Sequence, residues 1–531
     1  MNRRFDAAAT RSLAERLIAI PSVSPDPAGE TRCGRALVDA LPEGVERGAW
    51  RLRDRREIVW ARLRGGAPFA GRARRMVILL GHHDTVGVGE YARLGAAEGT
   101  LVAFQPHRMR EVLEERAADV VGISPEVLPA LRDALAAGDD WLFGRGALDM
   151  KSGLAAAVAA LAALAAQRDT LAGDVLFVSC PDEEHESAGM LAAVGEILRL
   201  RNTEGLDLVG AINLDYTEGP VGYTGVLGKS LLGVYVLGTP THAAASFEGA
   251  DAAQMAAAIV HRVTTSTLLS ARADGTPGPP PVALRLRDLK AAYNAQTADE
   301  AVAEINLMSD GRRAPDALAQ VRRVIEDTLE EVASRIEALR PQAGAGPWPG
   351  RATRVITVAE LAERAGEGRE HRKPRHARSR RGAPDVREAT LARVRKLARS
   401  ADLQAPAVVL YLAPPFHPHV PPGRGPLSRA ARAALERAGG TLEREYPFIS
   451  DASYLAWGAE SPEELSRYLP ALGLEYTLPA EESRALGLEV VTLGPWGRDA
   501  HGLCERVYAP WAFATLPKLI AEVAREAVAG A

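Results

Sequence analysis

Five residues of two chemical kinds stand where they could hold divalent metals: His82, Asp149, Glu184, Asp215 and His501. Each falls in a turn, and four of them follow, directly or closely, an apolar stretch that reads as a strand. Imidazole nitrogen and carboxylate oxygen are ligands for zinc, or for manganese or cobalt in its place. Asp149 lies in the glycine-flanked turn Gly144-Arg-Gly-Ala-Leu-Asp-Met-Lys-Ser-Gly153, just ahead of an apolar helix pattern. A carboxylate bridging two metals gives each ion one shared and two private ligands. Metals in such pairs lie ~3.5–4 Å apart and clamp a hydrolytic water. Taken singly, these residues have bland readings. Asp149 alone would be a helix N-cap, His82-x-Asp84 a hydrogen-bonded pair, and Asp182-Glu-Glu184 a solvated acidic turn. The joint pattern, in this order, points to a catalytic centre.

These side chains need elements that bring them together. Met76–Leu80 is a continuous apolar run, read as a buried strand, that ends in Gly81-His-His-Asp-Thr-Val86. Asp174–Ser179 runs into Cys180-Pro-Asp-Glu-Glu-His185, and Leu206–Leu214 ends at Asp215. Helix patterns at 151–167 and 187–201 lie between them. This is the βαβ rhythm of a mostly parallel sheet, in which ligands bind beyond the carboxyl ends of the strands. Upstream, the pattern predicts helices over 6–20 and 31–41 and a strand over 57–63. Residues 87–140, with helices near 108–118 and 125–137, read as an elaboration around the site. After about Gly228 the pattern changes: strands at 231–237, 282–286 and 302–307 alternate with helices at 250–266 and 315–339. That is the signature of a small open-faced sandwich with its own core. The proline- and glycine-rich 341–350 marks an exit, and the arginine-rich 366–384 reads as an exposed loop. Strands at 407–412 and 488–493 and helices at 426–438 and 511–528 return to the first sheet. The expected fold is α/β: a mostly parallel sheet with flanking helices, interrupted by a small α+β domain. The expected boundaries are 1–228, 229–350 and 351–531.

Bulk properties agree with a globular protein of more than one domain. The chain has 531 residues, 47% apolar and 25% charged, beyond the ~250–300 at which single cores stop growing. Its net charge of −4 argues against a nucleic-acid partner. Cys33, Cys180 and Cys504 are too dispersed for a disulfide framework, so the expected compartment is the reducing cytoplasm. No signal-peptide core opens the chain. The longest apolar run, Leu154–Ala166, falls short of the ~20 residues of a membrane span. No phosphate-cradling glycine loop is found.

The order Gly81-His-x-Asp-x-Val86, Gly144-Arg-Gly-x-x-Asp-Met-Lys151, Asp182-Glu-Glu184, Asp215 and Ala500-His501 resembles the dinuclear zinc peptidase family (peptidase M20 type). That family includes glutamate carboxypeptidases, aminoacylases, succinyl-diaminopimelate desuccinylase and peptidase T. The long 87–140 segment, Asn213-Leu-Asp-Tyr-Thr-Glu218, Tyr293-Asn-Ala-Gln-Thr297 and Phe448-Ile-Ser-Asp-Ala-Ser453 further resemble its RocB-like, arginine-utilisation branch. The resemblance implies a zinc-exopeptidase-like catalytic domain with an inserted lid and dimerisation domain, and two divalent metals. His82 and Asp215 would hold one metal and Glu184 and His501 the other, with Asp149 between them. Glu183 would be the general base, and Asp84 would orient His82. His242, in Gly238-Thr-Pro-Thr-His-Ala-Ala244, would be the lid histidine that serves the partner subunit, which implies a homodimer. One departure stands out. Asn294 is present, but the strand Ala303–Asp310 lacks the arginine with which relatives grip a substrate carboxylate. Arg312 and Arg313 are the substitutes at hand. His83, Cys180, His417 and His419 read as structural. The implied activity is hydrolysis of an amide or peptide bond in a small peptide or N-acyl amino acid. A dipeptide exopeptidase is the nearer alternative. A metal-binding interaction protein without catalysis is the alternative of another class, disfavoured by the presence of Glu183.

Overall fold

A computed structural model describes residues 5–67, 73–120, 122–270, 272, 276–339, 347–366, 385–458 and 460–530. The basic loop expected at 366–384 lies, beyond Gly366, outside them. The chain divides into two compact units. The first comprises Met1–Val226, Val420–Trp457 and Pro479–Ala531; the second comprises Leu227–His419 and Gly458–Leu478.

The first unit is built on an eight-stranded mixed sheet. Its order is Glu46–Arg51, Glu57–Leu63, Asp174–Cys180, Arg75–His82, Asp207–Asn213, Val490–Thr492, Val221–Thr224, Thr441–Glu443. The four central strands, from Asp174–Cys180 to Val490–Thr492, are parallel. The strands Glu46–Arg51 and Glu57–Leu63 add antiparallel pairings at one side. Asp174–Cys180 is buried at every position, as expected for a strand covered on both faces. The helix Ser152–Ala165 is apolar all round and buried over most of its surface, which places it inside the fold rather than on it. Together with its preceding turn, this helix (Ala147–Ala165) is long and apolar enough to cross a membrane, but its apolar window is 89% buried in the unit's own core. There Leu154, Leu161 and Leu164 meet Leu17, Phe177, Leu516 and Ile520. Each such side chain contributes roughly 1.5–3 kcal/mol on burial. The second helix begins at Pro27 rather than Thr31. Pro27 occupies the first helical position, where no N–H is needed, and the Asp26 carboxylate accepts from the N–H groups of Ala28 and Gly29.

The second unit holds a five-stranded sheet in the order Arg354–Thr357, Ala407–His417, Gly228–Leu237, Glu300–Ser309, Val282–Asp288. The sequence pattern assigns 407–412 to the first sheet. In the structure that strand runs on to His417 and pairs antiparallel with Gly228–Leu237. Its apolar pattern reports burial on both faces and is silent on which sheet provides it. The helix Val386–Ser400 covers one face through Leu391, Val394 and Leu397, against Tyr235, Val302 and Tyr411. The helix Ala252–Thr264 packs on the strands Gly228–Leu237, Glu300–Ser309 and Val282–Asp288 and on the helix Ala314–Leu339.

Candidate metal centre

The carboxyl ends of three parallel strands set the site. His82 lies opposite Cys180, and Leu80 lies opposite Asn213. His82, the Glu183-Glu184 pair and Asp215 therefore leave the sheet at the same edge. Asp149 reaches that edge from the turn ahead of the helix Ser152–Ala165. Asp149 and Met150 have non-helical dihedrals, and the helix proper starts after them. His501 sits in a C-terminal turn with a left-handed φ of 61°.

Asp149 does not cap its helix. Its Oδ1 is 3.1 Å from His82 Nε2, and its Oδ2 is 3.0 Å from His501 Nε2. His501 Nε2 is also 3.0 Å from Glu184 Oε1. Ligand atoms of His82, Asp149 and Asp215 lie within 4.8 Å of one another, as do those of Asp149, Glu184 and His501, and those of His82, Glu183 and Glu184. The five residues singled out in the sequence are thus brought together, with Glu183 among them. The site opens toward His501, whose side chain is 48% exposed against 7% for Asp149.

Asp84 stands behind His82, with Oδ1 3.4 Å from His82 Nδ1. Its Oδ2 accepts from the Ser24 hydroxyl at 2.5 Å and from the Glu184 N–H at 3.1 Å. Burial would raise the Asp84 carboxyl, but the hydrogen bonds and the charge of His82 prevail and hold it at about 2. Such a carboxylate fixes which ring nitrogen faces the site. Burial lowers His82, yet the charge of Glu183 and the bonds to Asp149 and Asp84 lift it well above its usual value. His501 is lifted to about 12 against burial by its bonds to Asp149 and Glu184. Asp215 is pushed up to about 7 by burial and by the charge of Asp149, and burial raises Glu183 well above the usual range. A buried group of acids whose close cations, among the described residues, are imidazoles is a donor set suited to divalent ions, which would take over the imidazole charge. The residues present therefore fit two metals, one on each side of Asp149.

The remaining residues fall elsewhere. His83 turns its Nδ1 to Ser179 Oγ at 3.0 Å, and burial lowers it to about 4, so it is a neutral core histidine. Cys180 is buried and its thiol raised well above the usual value. His242 belongs to the second unit; it is exposed, and its Nδ1 accepts from the Ala244 N–H at 3.1 Å. Of the two arginines that might grip a substrate carboxylate, Arg313 pairs with Glu464 at 2.8 Å and Arg312 donates to Gln320 at 2.5 Å.

Several buried groups around the site leave no pattern in the sequence. Glu505 Oε1 accepts the N–H of Leu148 at 3.0 Å and of Asp149 at 3.2 Å. Arg56, buried, holds Asp182 at 2.5 Å and Glu30 at 3.2 Å. Asp451 is buried in the same unit, and burial pushes its carboxyl up to about 8. Arg56 stands apart from every motif in the sequence, and Glu505, four residues after His501, carries no pattern that marks it as a partner of the Asp149 turn. Asp451 lay within a stretch already singled out, but nothing in the pattern marked its carboxyl.

Comparison with known proteins gives a consistent result. The model of Peptidase family M20/M25/M40 matches residues 118–482. The chain is 30% identical over 475 residues to the uncharacterized protein YqjN of Bacillus subtilis (strain 168), covering 84% of this chain and 83% of that protein. It is 27% identical over 489 residues to protein RocB of the same organism, covering 85% and 82%. Among solved structures, a tripeptidase from Staphylococcus aureus superposes with a TM-score of 0.54 at 13% identity, covering 99% of this chain and 100% of that one.

Proposed function

The chain belongs to peptidase family M20/M25/M40, and from that premise we propose that it hydrolyses the amide bond of a small peptide or N-acyl amino acid at a two-metal centre. The observation that carries this reading is Asp149, whose two oxygens face two different imidazoles. His82 and Asp215 would hold one metal, Glu184 and His501 the other, and Asp149 both. Zinc suits the donors best, with manganese and cobalt as the alternatives. When bound, the metal pair polarises the scissile carbonyl and lowers the pKa of the attacking water. Glu183, beside His82 and Glu184, takes the proton of that water and returns it to the departing amine. Asp84 keeps the His82 ring turned so that Nε2 faces the centre. His242, with Nδ1 already engaged, offers Nε2 to the developing oxyanion of the partner subunit's site.

Glu183→Gln keeps the shape and removes the base. Its kcat is expected to fall ~10²–10⁴-fold, with two metals still bound per chain by elemental analysis. Parental turnover in that variant would remove Glu183 from the mechanism. The paired state of Arg312 and Arg313 leaves neither as a ready grip for a substrate carboxylate, which favours substrates recognised by other groups. A panel of unblocked dipeptides and N-acyl amino acids with Zn²⁺, Mn²⁺ or Co²⁺ separates the dipeptidase and acyl-amino-acid readings. The three buried, unpaired cysteines support a reducing cytoplasm as the place of action, and the motifs at 213–218, 293–297 and 448–453 support a role in arginine utilisation.

A further inference from the structure

Asp149 and His501 are separated by more than three hundred residues, yet their backbones are tied to one buried ion pair. Arg145 Nη1 donates to Glu505 Oε2 at 2.5 Å, and Nη2 donates to the His501 carbonyl at 3.1 Å. Glu505 Oε1, the other oxygen of the same carboxylate, takes the N–H groups of Leu148 and Asp149. Both residues are 1% exposed. Neither donates an atom to the metal centre. Instead one arginine fork and one carboxylate join the turn carrying the shared ligand to the turn carrying the last one.

Glu90 and Tyr91, at the start of the 87–140 segment, lie against this pair. Glu90 accepts from Arg145 Nη2, the Tyr91 ring lies 5.4 Å from the guanidinium carbon, and the Tyr91 hydroxyl donates to the Gly502 carbonyl at 3.3 Å. Tyr91, Leu94, Val102, Phe104, Met109 and Leu131 form a core that takes in Leu503 and Cys504, just past His501. A three-stranded sheet completes the tie: Trp141–Phe143, directly after the segment, pairs with Arg506–Tyr508, which pairs with Gly497–Arg498.

We propose that Arg145 and Glu505 are positioning residues that fix His501 against Asp149, and that the 87–140 segment exists to hold this pair dry and in register. The inference rests on the two-metal reading of the centre. Its physical basis is that a bidentate arginine–carboxylate pair is directional, and that groups orienting metal ligands tune affinity as the ligands do. The private ligands of the other metal, His82 and Asp215, are set by strand ends, with Asp84 behind His82, whereas the turn of His501 is the one that Arg145 holds, so the two metal positions should respond differently.

The test uses the full-length, metal-stripped protein titrated with Zn²⁺ by calorimetry. The parent is expected to show two binding events. Glu505→Gln keeps an oxygen for the two N–H groups and loses the ion pair; Arg145→Lys keeps the charge and loses the fork. In each, one event should weaken by about 10–100-fold while the other stays at the parental affinity. Excess Zn²⁺ should then restore kcat with KM unchanged. Tyr91→Phe removes only the bond to Gly502 and is the milder arm, informative if either of the others fails to fold; it should weaken the same event. Parental isotherms in all folded variants, or equal weakening of both events, overturn the inference. A parent that binds no Zn²⁺ overturns instead the reading of the centre on which it rests.

Discussion

Glu30 shows how much of the site is built from side chains that never touch it. It is fully buried and lies 3.2 Å from Arg56, which holds Asp182 at 2.5 Å, and Asp182 immediately precedes Glu183. Asp182 also accepts the Ala188 N–H through Oδ2 at 3.1 Å and has a left-handed φ of 70°, so the acidic turn is anchored from both sides. Burial, then the charge of Asp84, raises the Glu30 carboxyl from 4.5 to about 8, against the pull of Arg56. The sign of the linkage follows. Between 4.5 and about 8 the folded chain holds a proton that the unfolded chain has released, so stability falls as pH rises across that window. Glu30→Gln removes the titration. Urea unfolding of metal-free protein at pH 5, 6, 7 and 8 should show the parent losing about 1–3 kcal/mol relative to the variant over the series. A parallel pH dependence in the two proteins would show that Glu30 is ionised in the folded state. At this scale the sequence shows residues that sit at strand ends, such as His82 and Asp215, because alternation and termination leave a mark there. It does not show Glu30, Arg56 or Glu505, whose partners at the site are distant in the chain and whose meaning exists only once the chain is folded.

Two elements must approach closely for Asp149 and Asp215 to share the site: the start of the helix Ser152–Ala165 and the end of the strand Asp207–Asn213. Gly153 permits it. A Cβ there would stand 2.4 Å from the Leu214 carbonyl oxygen and 3.1 Å from Met150 Cε. The first of these contacts is backbone, which cannot rotate away. Gly153→Ala is therefore expected to cost about 1–3 kcal/mol in unfolding free energy. It should also weaken metal binding, since relief requires the helix start to move off the strand that leads to Asp215. Unchanged unfolding and metal titration would show that the helix start has room to move. The same elements mark how far pattern reading reaches. Glu57–Leu63 has the bounds its apolar run predicts, because a buried strand of that length announces itself. Short strands such as Trp141–Phe143 and Gly497–Arg498 went unread, since their pairing is decided by what packs beside them. The apolar run predicts a strand over 407–412 in the first sheet, whereas Ala407–His417 belongs to the second, because a pattern specifies faces and not partners.

For the molecule as a whole, the number of chains in one working enzyme follows from the edges it leaves uncovered. The second unit's sheet ends on the strand Val282–Asp288, which among the described residues pairs only with Glu300–Ser309. On it Val282, Leu284 and Leu286 are 48%, 60% and 44% exposed. An uncovered edge carrying apolar side chains is a template for another strand, and a second copy meeting it about a twofold axis would cover both edges at once. We therefore expect a homodimer by light scattering, and a shift to monomer for Leu284→Lys, which sets like charges against each other across that axis. The dimer also permits a test of where His242 works. His242→Ala and Glu183→Gln should each be nearly inactive alone. If His242 serves the partner's centre, a mixed dimer of the two has one complete site: the Glu183 of one chain with the His242 of the other. Dissociating and reassembling equal amounts, with random pairing of subunits, should then recover about one quarter of parental activity. Recovery of none, with mixed dimers shown to form, would place His242 in its own chain's site, and parental activity of His242→Ala alone would place it outside the chemistry.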